Sequence, residues 1–379
     1  MTTTIADTAT APVVTTVGAL RKALTAVKPA VPARSTGYTE LPAVRIATLR
    51  ASDSGTDWSV TATDRHLTLT YRWHTDAPGR ASTVTVGYAE MAAALKGASG
   101  GTRVEIPPSA DGVVLATVGP ATVMLSAVSD DDYASMLPTF GIPEGACRIG
   151  PATVAAAVAA AGRDTDRPTC CNILVDQGTV VATDSYRLVA GAALVDGIGP
   201  DKALIPWQAF HAVAKAHKGK YVTVGTAGRY ARITGGPVTA VVRTIEGYFP
   251  NYKPLIDDAT AHNTIPVMLH RAAMLPLLRT LPGGKVPVRI SASPTGGVSV
   301  SSVSHGPDAA PTVVADMPGR WDGAPEMGFT VRYLADLLTA APADLVDLAV
   351  SYDPRKPVLM RTTPPEPLTC LLMPVRIND

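Results

Sequence analysis

The stretch VVATDSYRLVAGA, residues 180–192, places an Asp, a Tyr and an Arg within four positions. Taken alone it suggests an active-site loop, with Asp184, Tyr186 and Arg187 available for acid–base work. Its core recurs as VTATDRHLTLT at 60–70. A catalytic loop has no reason to appear twice at different depths of one chain, whereas a repeated fold needs the same turn in every copy. The plain role for Asp64 and Asp184 is then turn formation, each carboxylate bonding backbone amides beyond it.

Helical landmarks surround the two copies in the same order. GYAEMAAALKG at 87–97 puts Tyr88, Met91 and Leu95 on one face, with Gly97 placed to end the helix. PWQAFHAVAKAHKG at 206–219 repeats this with Trp207, Phe210, Ala214 and a closing Gly219, and TVRYLADLL at 330–338 with Val331, Leu334 and Leu338. Each is followed by a β-rich run: TRVEI (102–106), YVTVG (221–225) and LVDLAVSY (345–352). An earlier helix recurs as VGALRKALTAV (17–27; Leu20, Leu24, Val27) and PATVAAAVAAAG (151–162; Val154, Val158, Ala161). LHRAAMLPLLRTL (269–281) is its third copy, with Pro276 forcing a kink or a late start. VSVSSVS at 298–304 takes the third place of the Thr-Asp turns. The spacing predicts three α+β units of one design, each two helices on a sheet. Breakers in PTFGIPEGA (138–146) and PLIDDATAHN (254–263) divide the chain into residues 13–143, 144–259 and 260–379, after a disordered tail at 1–12.

Composition narrows the function. The hydrophobic fraction of 46% and a mean hydropathy of +0.17 supply buried cores, packed mainly by Ala and Val because only 4 Phe and 4 Trp are present. A net charge of +1, from 33 basic and 32 acidic residues, argues against a dedicated high-affinity duplex binder. Cys147, Cys170, Cys171 and Cys370 have neither CxxC spacing nor His partners, so no metal site or disulfide framework is expected and a cytoplasmic setting fits. MTTTIADTATAP lacks the charged start and apolar core of a secretory signal, and no apolar run reaches the ~20 residues of a membrane span.

Three units continuing sheet to sheet would set six helices on one side of an arc. Two such arcs offer twelve helices of about 10 Å each, an inner circumference of roughly 120 Å and a centre-line diameter of about 38 Å. That hole threads a nucleic-acid duplex without gripping it and needs scattered positive charge, which fits the near-neutral balance. Candidate DNA-facing cations are Arg21, Lys22, Arg34, Arg163, Arg167, Lys215, Lys218, Arg271 and Arg279; the alternative for each is a solvated helix face.

The motifs TATD (61–64), VATDSYRL (181–188), EGYFPNYKPLI (246–256) and LLMPVR (371–376), in this order, resemble the bacterial sliding clamp, the beta subunit of DNA polymerase III. The resemblance runs along nearly the whole chain. It implies a homodimeric ring that encircles duplex DNA, tethers the polymerase III alpha subunit and other clamp-binding peptides, is opened by an ATP-dependent clamp loader, uses no cofactor and performs no chemistry. It also implies a peptide pocket between the second and third units. Carried over by position, that pocket takes Cys170, Thr183, Ser185, Tyr186, Arg187 and Leu188, then Pro250, Pro254 and Leu255, then Pro357, Leu371, Met373, Pro374, Val375 and Arg376. Tyr186 and Arg187 are the expected partner contacts. This chain departs from the family at Ser185-Tyr186, where Gly-His is common, at Pro254, where a basic residue is common, and at Pro168-Thr169, where aromatic residues approach DNA.

For the ring seam, the resemblance implies that the first unit of one copy meets the third unit of the other. A sheet edge in TVMLSAV (122–128) would meet the end of the 269–281 helix, with Val123, Leu125, Leu278 and Leu281 as interface candidates or, alternatively, internal core. Two other readings stay open: an α+β enzyme using Asp184, Tyr186, Arg187 and His211, which lacks any glycine-rich phosphate loop or nucleophile elbow, and a specialised or inhibitor-resistant second clamp.

Overall fold

A computed structural model describes residues 11–33, 42–52, 54–108, 112–164, 166–195, 198–200, 202–217, 219–281, 287–302, 314–362 and 366–377. Among them eight α-helices occur: α1 Val17–Val27, α2 Tyr88–Ala94, α3 Asp130–Ser135, α4 Pro151–Ala160, α5 Trp207–Ala216, α6 Lys253–His262, α7 Arg271–Thr280 and α8 Val331–Ala340. All six helices expected from spacing are present, within a few residues of their expected ends. The expected tail at 1–12 lies almost wholly outside the described residues. The described residues fall into two compact units, one drawn from Met1–Pro143 with Gln208–Arg243, the other from Glu144–Trp207 with Thr244–Asp379.

The first unit is built on one antiparallel sheet. Its strands run Val222–Ala227, Tyr230–Gly235, Val238–Arg243, Leu67–Thr75, Gly55–Thr63, Ala43–Ser52, Thr83–Gly87, Ala121–Val128, Gly112–Val118, Arg103–Ile106 and Val13–Thr16. The junction that matters is Val238–Val242 against Leu67–Tyr71, which joins strands from two successive repeats. Helix α1 starts at Thr16, whose side chain accepts from the Ala19 amide. It packs Leu20, Leu24 and Val27, all buried, on strands Gly55–Thr63 and Leu67–Thr75. Burial of each such side chain is worth about 1.5–3 kcal/mol.

The second unit repeats the scheme. Ala203–Pro206, Asn172–Asp176, Thr179–Thr183, Arg187–Leu194, Leu368–Leu372, Val358–Arg361, Leu345–Val350, Ile265–His270 and Gly319–Arg320 form one antiparallel sheet, with Gly145–Ile149 added at Ala193 and Leu194. A smaller sheet orders Val314–Met317, Val298–Ser302, Pro287–Ala292 and Met327–Thr330.

Helix α4 lies over strands Thr179–Thr183 and Arg187–Leu194 and against α8. Because it is covered on two sides, it buries Thr153, Val154, Ala156, Ala157 and Ala160, and the expected stripe through Val158 is corrected: Val158 is only half-buried. Apolar throughout, α4 has no cap of its own. Gly150 precedes it, and the Glu366 carboxylate accepts from the Ala152 and Thr153 amides at 2.9 and 3.1 Å. A Cβ on Gly150 would stand 2.2 Å from that carboxylate, so glycine here makes room for a remote cap. Of the two outcomes expected at Pro276, the late start is corrected: helix α7 runs from Arg271 to Thr280 with Pro276 inside it. All four cysteines are free, and burial pushes the Cys147 and Cys370 thiols up to about 12. No described helix is long and apolar enough to cross a membrane.

Candidate functional site

The two Thr-Asp turns are one structure made twice. In the first unit Asp64 Oδ1 accepts from the His66 and Leu67 amides at 2.9 and 2.7 Å, and Thr63 Oγ1 from the Arg65 amide at 3.0 Å. In the second unit Asp184 Oδ1 accepts from the Tyr186 and Arg187 amides at 3.0 Å each, and Thr183 Oγ1 from the Ser185 amide at 3.1 Å. Arg65 and Ser185 both sit in the left-handed region, at φ 68° and 76°. Both aspartates are therefore turn-formers.

The copies part three residues beyond the aspartate. Where the first has Leu67, the second has Arg187, whose side chain is only 8% exposed. Its Nε donates to Asp184 Oδ2 at 2.9 Å, one terminal nitrogen to Asp336 of α8 and the other to the Ala159 carbonyl of α4. The guanidinium also lies 4.4 Å over the Tyr333 ring. The expectation that Arg187 reaches a partner is thereby corrected: it is an enclosed strut tying the turn to α4 and α8. Tyr186 projects outward, 55% exposed, and stacks on Tyr333 with ring centroids 6.2 Å apart. Burial, reinforced by the Asp184 carboxylate, pushes the Tyr333 phenol up.

Beside this turn the sheet junction makes an apolar floor. Pairing of Arg187–Gly191 with Leu368–Leu372 sets Leu188 opposite Leu371. Both are buried in one cluster with Leu174, Val181, Leu204, Phe249, Tyr252 and Leu359. Thr183 and Cys170 are buried as well. Around the floor Ser185, Tyr186, Pro250, Pro254, Leu255, Met373 and Arg376 are exposed, and Pro357, Pro374 and Val375 partly so. The Met373 amide donates to the Tyr186 carbonyl at 2.8 Å, which closes one end. Leu188 and Leu371 thus form an apolar base, with Leu255 exposed on α6 and Met373 exposed just past Leu368–Leu372. Phe249 and Tyr252 belong to it although the expected set omitted them; Tyr333 lies instead with Arg187 on the α4–α8 side of the sheet, the face opposite Leu188. The aromatics of FPNY signalled the first two, whereas Tyr333 sits beside the buried stripe of α8, where nothing in the spacing marks it.

The expected DNA-facing cations divide into two groups. Arg21, Arg163 and Arg271 are held at helix ends. Arg21 donates to the Leu95 and Ala98 carbonyls past α2 at 2.6 and 2.9 Å. Arg163 donates to the Val158 carbonyl of α4 and the Ala161 carbonyl just past it, at 2.8 and 2.6 Å, and lies 3.5 Å over the Trp207 ring. Arg271 donates to the Ala341 carbonyl past α8 at 2.8 Å and meets Asp344 at 3.3 Å. Cations there complement the negative ends of the helix dipoles. Lys22, Arg167, Lys215 and Arg279 are exposed. In the first unit Arg21, Lys22 and Lys215 line one cleft of about 780 Å³ with Thr25, Tyr71 and His211. Arg34 and Lys218 lie outside the described residues.

Of the seam candidates, three fit their alternative reading as internal core. Leu125, Leu278 and Leu281 are core residues of their own units, 0%, 2% and 6% exposed, and Val123 is half-buried. The outward apolar residues are their neighbours Val113, Leu115 and Met124, each more than half exposed. Strand Ala121–Val128 pairs along its length with Gly112–Val118, but with Thr83–Gly87 only at Ala127 and Val128. Its other edge, Ala121–Ser126, has no strand partner among the described residues. No group of three or more potential metal ligands occurs among the described residues.

No family model matches the chain, and no curated protein matches its sequence significantly. Solved structures do match. The griselimycin-bound DnaN sliding clamp (DNA polymerase III subunit beta) of Bartonella birtlesii superposes with a TM-score of 0.77 at 19% identity, over 97% of this chain and 100% of that one. The DNA polymerase sliding clamp of Bacillus subtilis gives 0.75 at 20% identity, over 97% and 99%. A C. crescentus beta sliding clamp with bound PEG gives 0.75 at 18% identity, over 97% and 99%. The chain thus has the sliding-clamp fold along its whole length.

Proposed function

We propose that the chain is a DNA sliding clamp. Two copies close into a ring around duplex DNA without reading its sequence, and a groove beside Leu188 and Leu371 tethers polymerases and other DNA-processing proteins by an extended peptide. In this reading residues 13–143, 144–259 and 260–379 are the three clamp domains, and Val113, Leu115 and Met124 with the open edge at Ala121–Ser126 supply the seam. The observation that carries the proposal is the end-to-end superposition on sliding clamps, which covers 97% of the chain. The groove agrees with it: Leu188 and Leu371 form a buried apolar base, Leu255 and Met373 are exposed, and Met adapts to varied partners. The cations fit a loose hold on phosphates, because Arg21, Arg163 and Arg271 are spent on helix ends.

The enzyme reading loses its motivation, since the turn and the inter-helix strut occupy both Asp184 and Arg187. One observation favours a clamp with its own peptide preference: an exposed Tyr186, stacked on Tyr333, stands at the turn where the family commonly has Gly-His. A polymerase III alpha subunit as partner, a clamp loader that opens the ring and a nucleoid-associated, cytoplasmic setting belong to the same proposal. Small-angle scattering tests the assembly. A particle of about 78 kDa, twice the 39.2 kDa chain, with a central hole is expected. A solid 39 kDa particle at micromolar concentration refutes the ring.

A further inference from the structure

We propose that Gly328 is the seat of the C-terminal strap Met373–Ile377, and that by seating the strap it sets one wall of the groove. The inference rests on the groove being a peptide site.

The strand Met327–Thr330 pairs on one edge with Pro287–Ile290. On the other edge it is met by the strap alone among the described residues: the Val375 amide donates to the Gly328 carbonyl at 2.8 Å, an isolated antiparallel bridge. Two residues earlier the Met373 amide donates to the Tyr186 carbonyl at the same distance. The strap therefore spans from the Thr-Asp turn to this strand and carries Met373 and Arg376, both exposed, as it goes.

Glycine inside a strand weakens it, and a common reason to keep one is close approach of another backbone. Gly328 is not among the residues with positive φ, so conformation does not require it. Space does. A Cβ built at 328 would stand 2.5 Å from Ile377 Cγ1 and 2.7 Å from the Val375 carbonyl oxygen. The Ile377 side chain has room to turn away, but the carbonyl is backbone and moves only with the strap. A cleft of about 450 Å³, lined by Glu326, Pro354, Arg355 and Met373–Ile377, runs along the strap. With so little packed beneath it, the strap depends on the Gly328 contact and the Tyr186 bond for its position.

The test uses the full-length chain, hydrogen exchange at the Val375 amide, and a fluorescein-labelled pentapeptide with Leu and Phe anchors. In Gly328→Ala the Val375 amide is expected to exchange at least tenfold faster, and peptide affinity to fall about tenfold or more. Val375→Pro removes the donor of the 2.8 Å bond without touching a buried side chain, and the same loss of affinity is expected, so the proposal stays testable if Gly328→Ala folds poorly. Unchanged Val375 protection in Gly328→Ala overturns the seat. A released strap with unchanged affinity, or unchanged affinity in Val375→Pro, overturns the link to the groove. If the wild-type chain ignores the peptide, the groove reading itself fails, and the exchange measurement alone decides the seat.

Discussion

Replacing Arg187 with methionine is expected to lower the unfolding free energy by about 3–5 kcal/mol, the range for breaking a buried ion pair from one side. The residue has the appearance of a partner contact, and a surface cation would cost well under 1 kcal/mol to remove. Burial decides between these. With the guanidinium gone, the Asp184 carboxylate, itself only 12% exposed, loses its ion-pair partner. Asp336 on α8 is left with Arg332, at 3.9 Å, and the Ala159 carbonyl on α4 loses its Arg187 donor at the same time. Methionine keeps the aliphatic bulk, so the loss reports the polar network rather than a cavity. Asp336→Asn retains an acceptor for Arg187 and is expected to cost about 1–2 kcal/mol. Urea denaturation followed by far-ultraviolet circular dichroism measures both. A loss below 1 kcal/mol for Arg187→Met would mean that the side chain faces solvent and remains available to a partner.

The second large effect is on binding. Leu255→Ala with Met373→Ala should weaken the labelled Leu/Phe pentapeptide by about 30- to 150-fold while leaving the melting temperature within a few degrees. The two side chains are 53% and 37% exposed, so they contribute little to the folded core. A peptide anchor would cover them, and about 2–3 kcal/mol of lost apolar contact converts to that factor. Leu188 and Leu371 make poor probes of the same site. They are 4% and 5% exposed, and truncating either costs about 2–5 kcal/mol of fold stability. Fluorescence anisotropy with the pentapeptide separates the cases. Undiminished affinity in the double variant would place the peptide elsewhere.

Local chemistry is legible in the sequence wherever a single segment carries it. The Thr-Asp turns at 63–64 and 183–184 read as turns because Asp at that position bonds amides two and three residues on, within its own segment. The stripe Leu20, Leu24 and Val27 identifies α1 because that helix has one covered face and one wet one. Spacing misleads on α4, which is apolar all round and covered by both a sheet and α8, so no stripe distinguishes its faces. Strand Ala121–Val128 shows the period-two problem: Leu125 and Met124 are equally apolar neighbours, and only the fold decides that the first points inward.

Long-range polar partners leave no trace in local pattern. Arg187 finds Asp336 across 149 residues, and Glu366 caps α4 across more than 200. Each looks like an ordinary surface charge in its own segment. Gly150 and Gly328 are equally silent, since the groups that need their missing Cβ arrive from elsewhere in the chain.

Loading the protein onto nicked circular DNA, isolating the complex and then cutting the circle tests the central claim most directly. A ring holds its duplex by enclosure, so the protein should stay on the closed circle through a wash at high salt and leave within minutes once free ends exist. Retention on the linear duplex, or loss from the intact circle at high salt, would mean that the protein grips DNA by contact, and the clamp account would be wrong.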